Sequence, residues 1–285
     1  MLKEEFPLDL PFVDSKIYLT TKKMTDRQTL KFYYRAICNT TRDIRHMDVP
    51  VIRGTNSRIF IVDTVNTGKV VFRFNPRHVA HRNYDISKIL CAHDIPVPVV
   101  NLHLYQGQYF ETYPYFTGPT FQECLDCGML RSEIHDVYAM MALQIRNISN
   151  IPLHNFNNIE NKNCSSVAKS NIVNKTGSWT LGQGIKFGTK ILNIGAQSIC
   201  HCDFTPRNIV LGDNKETLSV LDLNAVSIAN INFALAITGL SLRQHKLNRY
   251  DFYSICDDIL PGRLNKTRLS LTEQICGLYF RGYCK

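Results

Sequence analysis

The sequence predicts an α+β fold of two lobes, with an antiparallel sheet in the N-terminal lobe and mainly helices in the C-terminal lobe. Short apolar segments separated by turns follow one another between residues 58 and 113, which is typical of paired strands. After Gly118-Pro119 the large apolar residues recur instead at helical spacing. A chain of 285 residues, of which 44% are hydrophobic, is long enough for two such lobes.

Residues 1–50 are predicted to be an N-terminal extension that packs on the first lobe. A helix is expected to start at Asp26, in a stretch where large side chains are spaced three or four residues apart. These side chains are Leu30, Tyr33, Tyr34 and Ile37.

The N-terminal lobe is assigned to residues 51–113. Its first strands, residues 59–62 and 70–74, should form a β-hairpin around the turn at Asn66-Thr-Gly68. A helix at 78–92 should end before Ile95-Pro-Val-Pro98, because proline disfavours helical geometry in the residue before it. A second antiparallel pair is expected at residues 99–105 and 108–113.

The C-terminal lobe is assigned to residues 114–285. Its best helix is predicted at 133–148, and residues 155–180 are rich in Asn, Ser and Lys, as in a surface loop. The remaining elements are expected at 185–194 (helix), 200–208 (loop), 209–211 (strand) and 218–221 (strand).

The composition narrows the class of protein. No apolar leader and no stretch long enough to span a membrane is present, so a cytoplasmic protein is expected. Ten cysteines are then expected to be reduced thiols. Two cysteine pairs, at 124/127 and 200/202, could be combined into a zinc site, but neither has a partner at the usual finger spacing.

The net charge is +9, with most of the excess in the first 82 residues. Such a charge can indicate nucleic-acid binding, yet the sequence has no dense Lys/Arg run and no recognisable reader module. A solvated basic surface is the favoured interpretation, and no specific nucleic-acid partner is predicted.

The segment His201-Cys-Asp-Phe-Thr-Pro-Arg-Asn208 carries the strongest chemical signal, together with Asp222 fourteen residues later. Phosphoryl transfer needs a carboxylate that orients or deprotonates the attacking hydroxyl, and oxygen ligands for Mg²⁺. Asp203 and Asn208 lie at the two ends of one loop, and Asp222 follows the next hairpin. The three oxygen-bearing side chains are therefore predicted to meet at one site.

This arrangement resembles the aminoglycoside phosphotransferase and choline kinase family of the protein kinase-like superfamily. In that family the corresponding loop reads His-Gly-Asp-x-x-x-x-Asn, and the sequence Ile-Asp-Trp follows it. The resemblance implies a protein kinase-like two-lobed fold in which Asp203 is the catalytic base, Asn208 and Asp222 bind Mg²⁺, and His201 braces the loop. The implied co-substrate is ATP or GTP, and the implied acceptor is a small molecule with a hydroxyl group.

The resemblance also implies nucleotide-binding residues between 51 and 118. Gly54-Thr-Asn-Ser57 is similar to the family's glycine loop, and Arg73 falls where kinases place the phosphate-binding lysine. The segment 110–118 resembles the linker that binds the base. The residues carried over for nucleotide binding are Gly54, Asn56, Ser57, Arg73, Tyr113 and Tyr115.

The sequence departs from the family's pattern at several positions. The glutamate that pairs with the strand cation would align near Asn83 or Asp85, and Asp85 is the only acid there. Cys202, Leu223 and Asn232 replace a glycine, a tryptophan and an acid, and none of these changes removes a metal ligand.

Several functions stay open at this point. The acceptor could be an aminoglycoside, a choline-like amino alcohol or a sugar, and the near-neutral charge after residue 82 does not choose among them. A pseudokinase that binds nucleotide or a partner protein is a second hypothesis, favoured by the missing lysine. A protein kinase is less favoured, because the Gly-x-Gly-x-x-Gly, Asp-Phe-Gly and Ala-Pro-Glu motifs are absent from the sequence. The sequence does not indicate an oligomeric state.

Overall fold

The computed structural model describes residues 27–48, 58–157, 159, 197–212 and 215–281. Contacts group the described residues up to Arg77 with Leu102–Tyr115 in one unit, and His78–Asn101 with the residues from Phe116 onward in a second. Three predictions lie outside the described residues: the glycine loop at 54–57, the helix at 185–194 and most of the segment 155–180.

The first unit is built on a sheet of five strands in the order β1-β2-β3-β5-β4. The pairs β1–β2, β2–β3 and β3–β5 are antiparallel, as the sequence predicts for the hairpin β2–β3. The turn before β5 contains Gly107 with a φ of +81°, a conformation that glycine adopts without steric cost. The strands are β1 Ile44–Asp48, β2 Arg58–Thr64, β3 Gly68–Phe74, β4 Asn101–Tyr105 and β5 Gln108–Pro114.

Helix α1, Arg27–Thr40, covers one face of this sheet. Alternate residues of a strand point to the same face, and here those residues are aromatic or β-branched. They pack against Ala36 and Ile37 of α1, which are fully buried, and the ring of Tyr33 lies 4.4 Å from that of Phe74. The sheet side of this core consists of Phe60, Val62, Phe72, Phe74 and Phe110.

Strand β1 was not predicted from the sequence. Its residues, Ile-Arg-His-Met-Asp, show no apolar alternation, and it is held at the sheet edge by pairing with β2. Edge strands are often polar, since this discourages pairing with other chains. A local pattern search therefore does not find this strand.

The second unit contains the remaining helices. The helices predicted at 78–92 and 133–148 are confirmed with ends one or two residues away. Helix α3 begins with a capping box between Thr120 and Glu123. In the described residues these helices are α2 Arg77–Ala92, α3 Phe121–Asp126, α4 Arg131–Ser149, α5 Ile231–Gln244, α6 Arg249–Ile259 and α7 Lys266–Arg281.

Helix α5 lies at the centre of this unit and packs against α6 and α7. Eleven of its fourteen residues are buried, on all sides of the helix. A helix buried all round has no polar stripe, and so it shows no clear amphipathic period in the sequence. For this reason helix α5 is not predicted from the sequence.

Two small antiparallel pairs complete the described part of this unit. β7 (Ile209–Leu211) pairs with β8 (Leu218–Val220), as predicted, and β6 (Ser198–His201) pairs with β9 (Val226–Ala229). The prediction of a loop over 200–208 was wrong at its start, where residues 200 and 201 belong to β6. Its partner β9 follows more than twenty residues later, so a local reading does not reveal the pairing.

Seven cysteines whose side chains the structure describes are free thiols: Cys38, Cys91, Cys124, Cys127, Cys200, Cys202 and Cys256. None of the helices in the described part of the chain is long and apolar enough to cross a bilayer.

Candidate active site

The pairing of β6 with β9 brings the motif residues together. In this ladder His201 lies opposite Val226, and the Cys202 N–H donates to the Ala225 carbonyl at 3.0 Å. The chain between these positions carries Asp203, Asn208 and Asp222. Because its two ends are held side by side, the structure places the three predicted side chains on one closed segment.

Asn208 orients the carboxylate of Asp203. Its amide Nδ2 donates to Asp203 Oδ2 at 2.9 Å and to the Asp203 carbonyl at 2.9 Å. Pro206 opens the short 3-10 turn Pro206–Asn208 that carries the asparagine, a position for which the fixed φ of proline is suited. The Asn208 carbonyl accepts the Leu221 N–H at 2.8 Å, which ties the loop to the segment before Asp222.

His201 connects the two sides of this loop. Its Nε2 lies 2.8 Å from the Leu221 carbonyl and its Nδ1 accepts the Asp203 N–H at 3.3 Å. A carbonyl can only accept, so Nε2 carries the proton and the ring is neutral. Burial lowers the pKa of His201, in keeping with a side chain that is only 4% exposed.

The pKa of the Asp203 carboxyl lies above its ordinary value. Burial raises its pKa, and the negative charge of Asp222 adds to that rise, while the hydrogen bond from Asn208 opposes it. A carboxylate with a raised pKa accepts a proton more readily at physiological pH than an exposed one does. This electrostatic setting suits a general base.

Asp222 has an uncommon backbone conformation. Its φ is 55° and its ψ is 60°, in the left-handed region that aspartate tolerates better than most residues other than glycine. Its carbonyl accepts the Ala225 N–H at 3.0 Å, which closes the 3-10 turn Leu223–Ala225. This turn lies between the end of β8 at Val220 and the start of β9 at Val226.

The donor atoms of the loop fit a magnesium ion. The described residues contain no group of three or more His, Cys, Asp or Glu side chains that could hold a metal ion, so a cation here would depend on the Asp222 carboxylate and the Asn208 amide oxygen. The Asn208 nitrogen is engaged by Asp203, which directs the amide oxygen away from that carboxylate. Mg²⁺ commonly takes one or two protein oxygens and completes its shell with phosphates and water.

Comparisons with known proteins identify the fold. No protein-family model and no curated protein matches the sequence. Solved structures do match. One is an aminoglycoside phosphotransferase from Streptomyces rimosus with a TM-score of 0.67 and 12% identity, covering 88% of this chain and 98% of that one. This chain therefore has the same fold as that phosphotransferase.

Two further structures agree. The aminoglycoside phosphotransferase APH(2")-IIIa, in complex with GDP and kanamycin, has a TM-score of 0.64 and 14% identity over 88% of this chain and 89% of its own. An ethanolamine kinase from Plasmodium vivax has a TM-score of 0.59 and 12% identity over 94% and 86%. The predicted protein kinase-like α+β fold is confirmed.

In this kinase-like fold, the residues predicted to bind nucleotide lie in the first unit or outside the described residues. Gly54, Asn56 and Ser57 belong to the latter. Arg73 is half-buried in β3, and Tyr113 lies in β5 opposite Val71. The Tyr115 N–H donates to the Lys69 carbonyl at 2.9 Å, so that N–H is not free for a base. Their role in nucleotide binding stays a prediction.

The residue predicted to pair with Arg73 is Asp85, and its side chain is exposed on α2. The alternative position, Asn83, is buried. Glu111, which sequence reasoning did not select, lies directly opposite Arg73 in the β3–β5 ladder and is only 1% exposed. Residues directly opposite each other in such a ladder have Cβ atoms about 5 Å apart. The sheet itself therefore places a carboxylate beside Arg73.

Glu111 has a second polar neighbour, Asn75, whose Nδ2 donates to Glu111 Oε1 at 2.6 Å. Burying a carboxylate is costly unless it is hydrogen-bonded and paired, so an acid within a buried strand is a signal of a polar partner nearby. The segment Phe110-Glu-Thr-Tyr113 contains that signal. To identify the partner of this acid from the sequence, the register between β3 and β5 must be known, and the sequence does not supply that register.

Proposed function

We propose that this protein is a small-molecule kinase. It transfers the γ-phosphate of ATP or GTP to a hydroxyl of an aminoglycoside, a choline-like amino alcohol or a sugar-type acceptor. The observation that carries the proposal is the Asp203 carboxylate, raised in pKa by burial and oriented by Asn208 close to Asp222. The same fold in a structure with GDP and kanamycin supports nucleotide and small-acceptor binding.

The reaction requires one proton transfer at the protein. The acceptor oxygen attacks the γ-phosphorus, the bond between this phosphorus and the β–γ bridging oxygen breaks, and the hydroxyl proton passes to the Asp203 carboxylate. The products are ADP or GDP and a phosphate monoester. Asp203 is the catalytic base, and its hydrogen bond from Asn208 keeps one carboxylate oxygen fixed while the other is available to the hydroxyl.

Asn208 and Asp222 are the residues that would hold Mg²⁺. When bound, the ion neutralises charge on the nucleotide phosphates. The contribution of the chain is to fix these two side chains: Asn208 through its bonds to Asp203, and Asp222 through the turn that its own carbonyl closes.

The test is release of ADP or GDP by the purified protein with Mg²⁺, across a panel of aminoglycosides, amino alcohols and sugars. Phosphorylated acceptor is identified by mass spectrometry. Asp203→Asn preserves shape and removes the base, and we expect at least about a 100-fold loss of turnover, the lower range for general base catalysis. The matched control is Asp136→Asn, an exposed aspartate on α4, which should leave turnover unchanged. Turnover retained by Asp203→Asn would remove Asp203 from the base role.

A second candidate function is nucleotide binding without turnover, as in a pseudokinase. It is favoured by the exposure of Asp85 and by arginine in place of the strand lysine. Equilibrium binding of ATP and GTP, measured with and without Mg²⁺, separates the two. Tight nucleotide binding together with no product from any acceptor would support the pseudokinase, whereas acceptor-stimulated release of ADP or GDP would exclude it.

A further inference from the structure

A buried arginine on α2 is bonded to the backbone just after Asp222. Arg82 is only 4% exposed. Its Nη1 donates to the Asn224 carbonyl at 3.1 Å, and its Nη2 donates to the Val226 carbonyl. The two carbonyls are two residues apart, and the planar fork of a guanidinium can reach both at once. A lysine ammonium carries the same charge, but it has no such pair of donors in fixed geometry.

The bonded carbonyls belong to elements that determine where Asp222 lies. Asn224 is in the 3-10 turn that starts directly after Asp222, and Val226 is the first residue of β9 and the ladder partner of His201. Asp222 itself has a left-handed conformation, which persists only when the surroundings enforce it. Arg82 supplies such enforcement on the C-terminal side of Asp222.

A buried guanidinium is costly without several good hydrogen bonds, and here two of them go to backbone carbonyls of the candidate site. Apolar packing would fill the same space without that cost. The position of the arginine is therefore better explained by the backbone that it holds than by a general contribution to stability.

We propose that Arg82 is a positioning residue for the metal-binding side of the site. It holds the backbone at Asn224 and Val226 and thereby fixes the carboxylate of Asp222 where a divalent cation bound with the nucleotide needs it. This inference rests on the proposed function, because it assigns Arg82 to the same site. Its effect is on cation binding, and the acceptor is not involved.

The experiment measures binding of Mn²⁺ in the presence of ADP or GDP by electron paramagnetic resonance, so it does not depend on turnover. The variants are Arg82→Met and Arg82→Lys. Loss of a partner that orients a metal ligand typically weakens metal affinity by about 10- to 100-fold. We expect a loss in this range for methionine and a loss for lysine as well, because lysine restores the charge but not the two-carbonyl contact. Acceptor KM should stay within about twofold of the wild-type value, since only interactions with the cation change.

Arg263→Met is the matched control. Arg263 also makes two hydrogen bonds between elements of the second unit, to Ser149 Oγ at 2.8 Å and Asn150 Oδ1 at 2.7 Å, and neither partner belongs to the site. This variant should leave Mn²⁺ affinity unchanged. Hydrogen exchange of the amides at 222–226 gives a direct structural readout, and it should accelerate in both Arg82 variants. If Arg82→Met does not fold, Arg82→Lys carries the test.

The outcomes distinguish this inference from the proposed function. Wild-type protein that takes up no Mn²⁺ with nucleotide would overturn both. Wild-type protein that binds Mn²⁺ while both folded Arg82 variants bind it equally well would overturn only the positioning role. Full recovery of affinity in Arg82→Lys would also overturn it, because charge alone would then be sufficient.

Discussion

Replacing His201 with leucine removes two hydrogen bonds at nearly constant volume. The Leu221 carbonyl loses its donor at 2.8 Å, and the Asp203 N–H loses its acceptor at 3.3 Å. A buried polar group left without a partner costs about 1–3 kcal/mol. The Leu221 bond is short and falls in that range, whereas the longer Asp203 bond adds about 1 kcal/mol or less. We expect His201→Leu to lower the free energy of unfolding by about 1–4 kcal/mol.

The assay is equilibrium urea unfolding followed by circular dichroism. His201→Asn is an informative intermediate, because the asparagine oxygen can accept the Asp203 N–H but the side chain is too short to reach Leu221. It should lose less stability than His201→Leu. His154→Leu, at an exposed histidine, should change stability by less than about 0.5 kcal/mol. A loss below about 0.5 kcal/mol in His201→Leu would refute the reasoning, because unsatisfied buried groups cost more than this.

The same substitution should change the pH dependence of stability. Burial lowers the pKa of His201 in the folded protein, whereas in the unfolded chain a histidine has a pKa of about 6.5. Between these two values the unfolded state binds the proton and the folded state does not, so the free energy of unfolding decreases as the pH falls below about 6.5. Subtracting the His201→Leu pH profile from the wild-type profile isolates this decrease. A difference that stays constant between pH 7 and pH 5 would contradict the assignment of a neutral, buried ring.

Two further predictions concern the loop and its support. Asn208→Ala removes the hydrogen bond that lowers the pKa of Asp203, so residual kcat/KM should be lost on acidification at a higher pH than in the wild type. An unchanged acid limb would show that Asn208 does not set that ionisation. Gly118→Ala places a Cβ 1.7 Å from the Leu211 carbonyl oxygen, in the backbone of β7, and should lower stability by about 1–3 kcal/mol or more, as overpacking does. The control is Thr117→Ala at the exposed neighbouring residue, and equal unfolding midpoints for the two variants would contradict the clash.

The local parts of the fold could be predicted from the sequence. The hairpin β2–β3 has alternating buried and more exposed residues and a turn signal within seventeen residues. The apolar face of helix α4 follows from the spacing of its own apolar residues. The loop of the candidate site is similar, because Asp203 and Asn208 are five residues apart and one short turn brings them into hydrogen-bond contact. Each of these signals is contained in the segment that it describes.

Other features have no local signal. Helix α5 is buried on all sides, and strand β1 is polar because it is an edge. The pairing of β6 with β9 and the placement of Glu111 opposite Arg73 join residues that are far apart in sequence. The resemblance accordingly implied Asp85, on the helix, as the partner of Arg73, and the structure leaves Asp85 exposed.

The order of elements around the candidate site and the selection of Asp203, Asn208 and Asp222 as candidate residues depend on residue type and short spacing, and both are therefore predictable from the sequence. The surroundings of these three residues depend on the folded chain. The neutral tautomer of His201, the raised pKa of Asp203 and the contact of Arg82 with Asn224 all depend on burial and on bonds across 20 to 142 residues. Burial and long-range hydrogen bonds are properties of the packed chain, and no single segment of the sequence contains them.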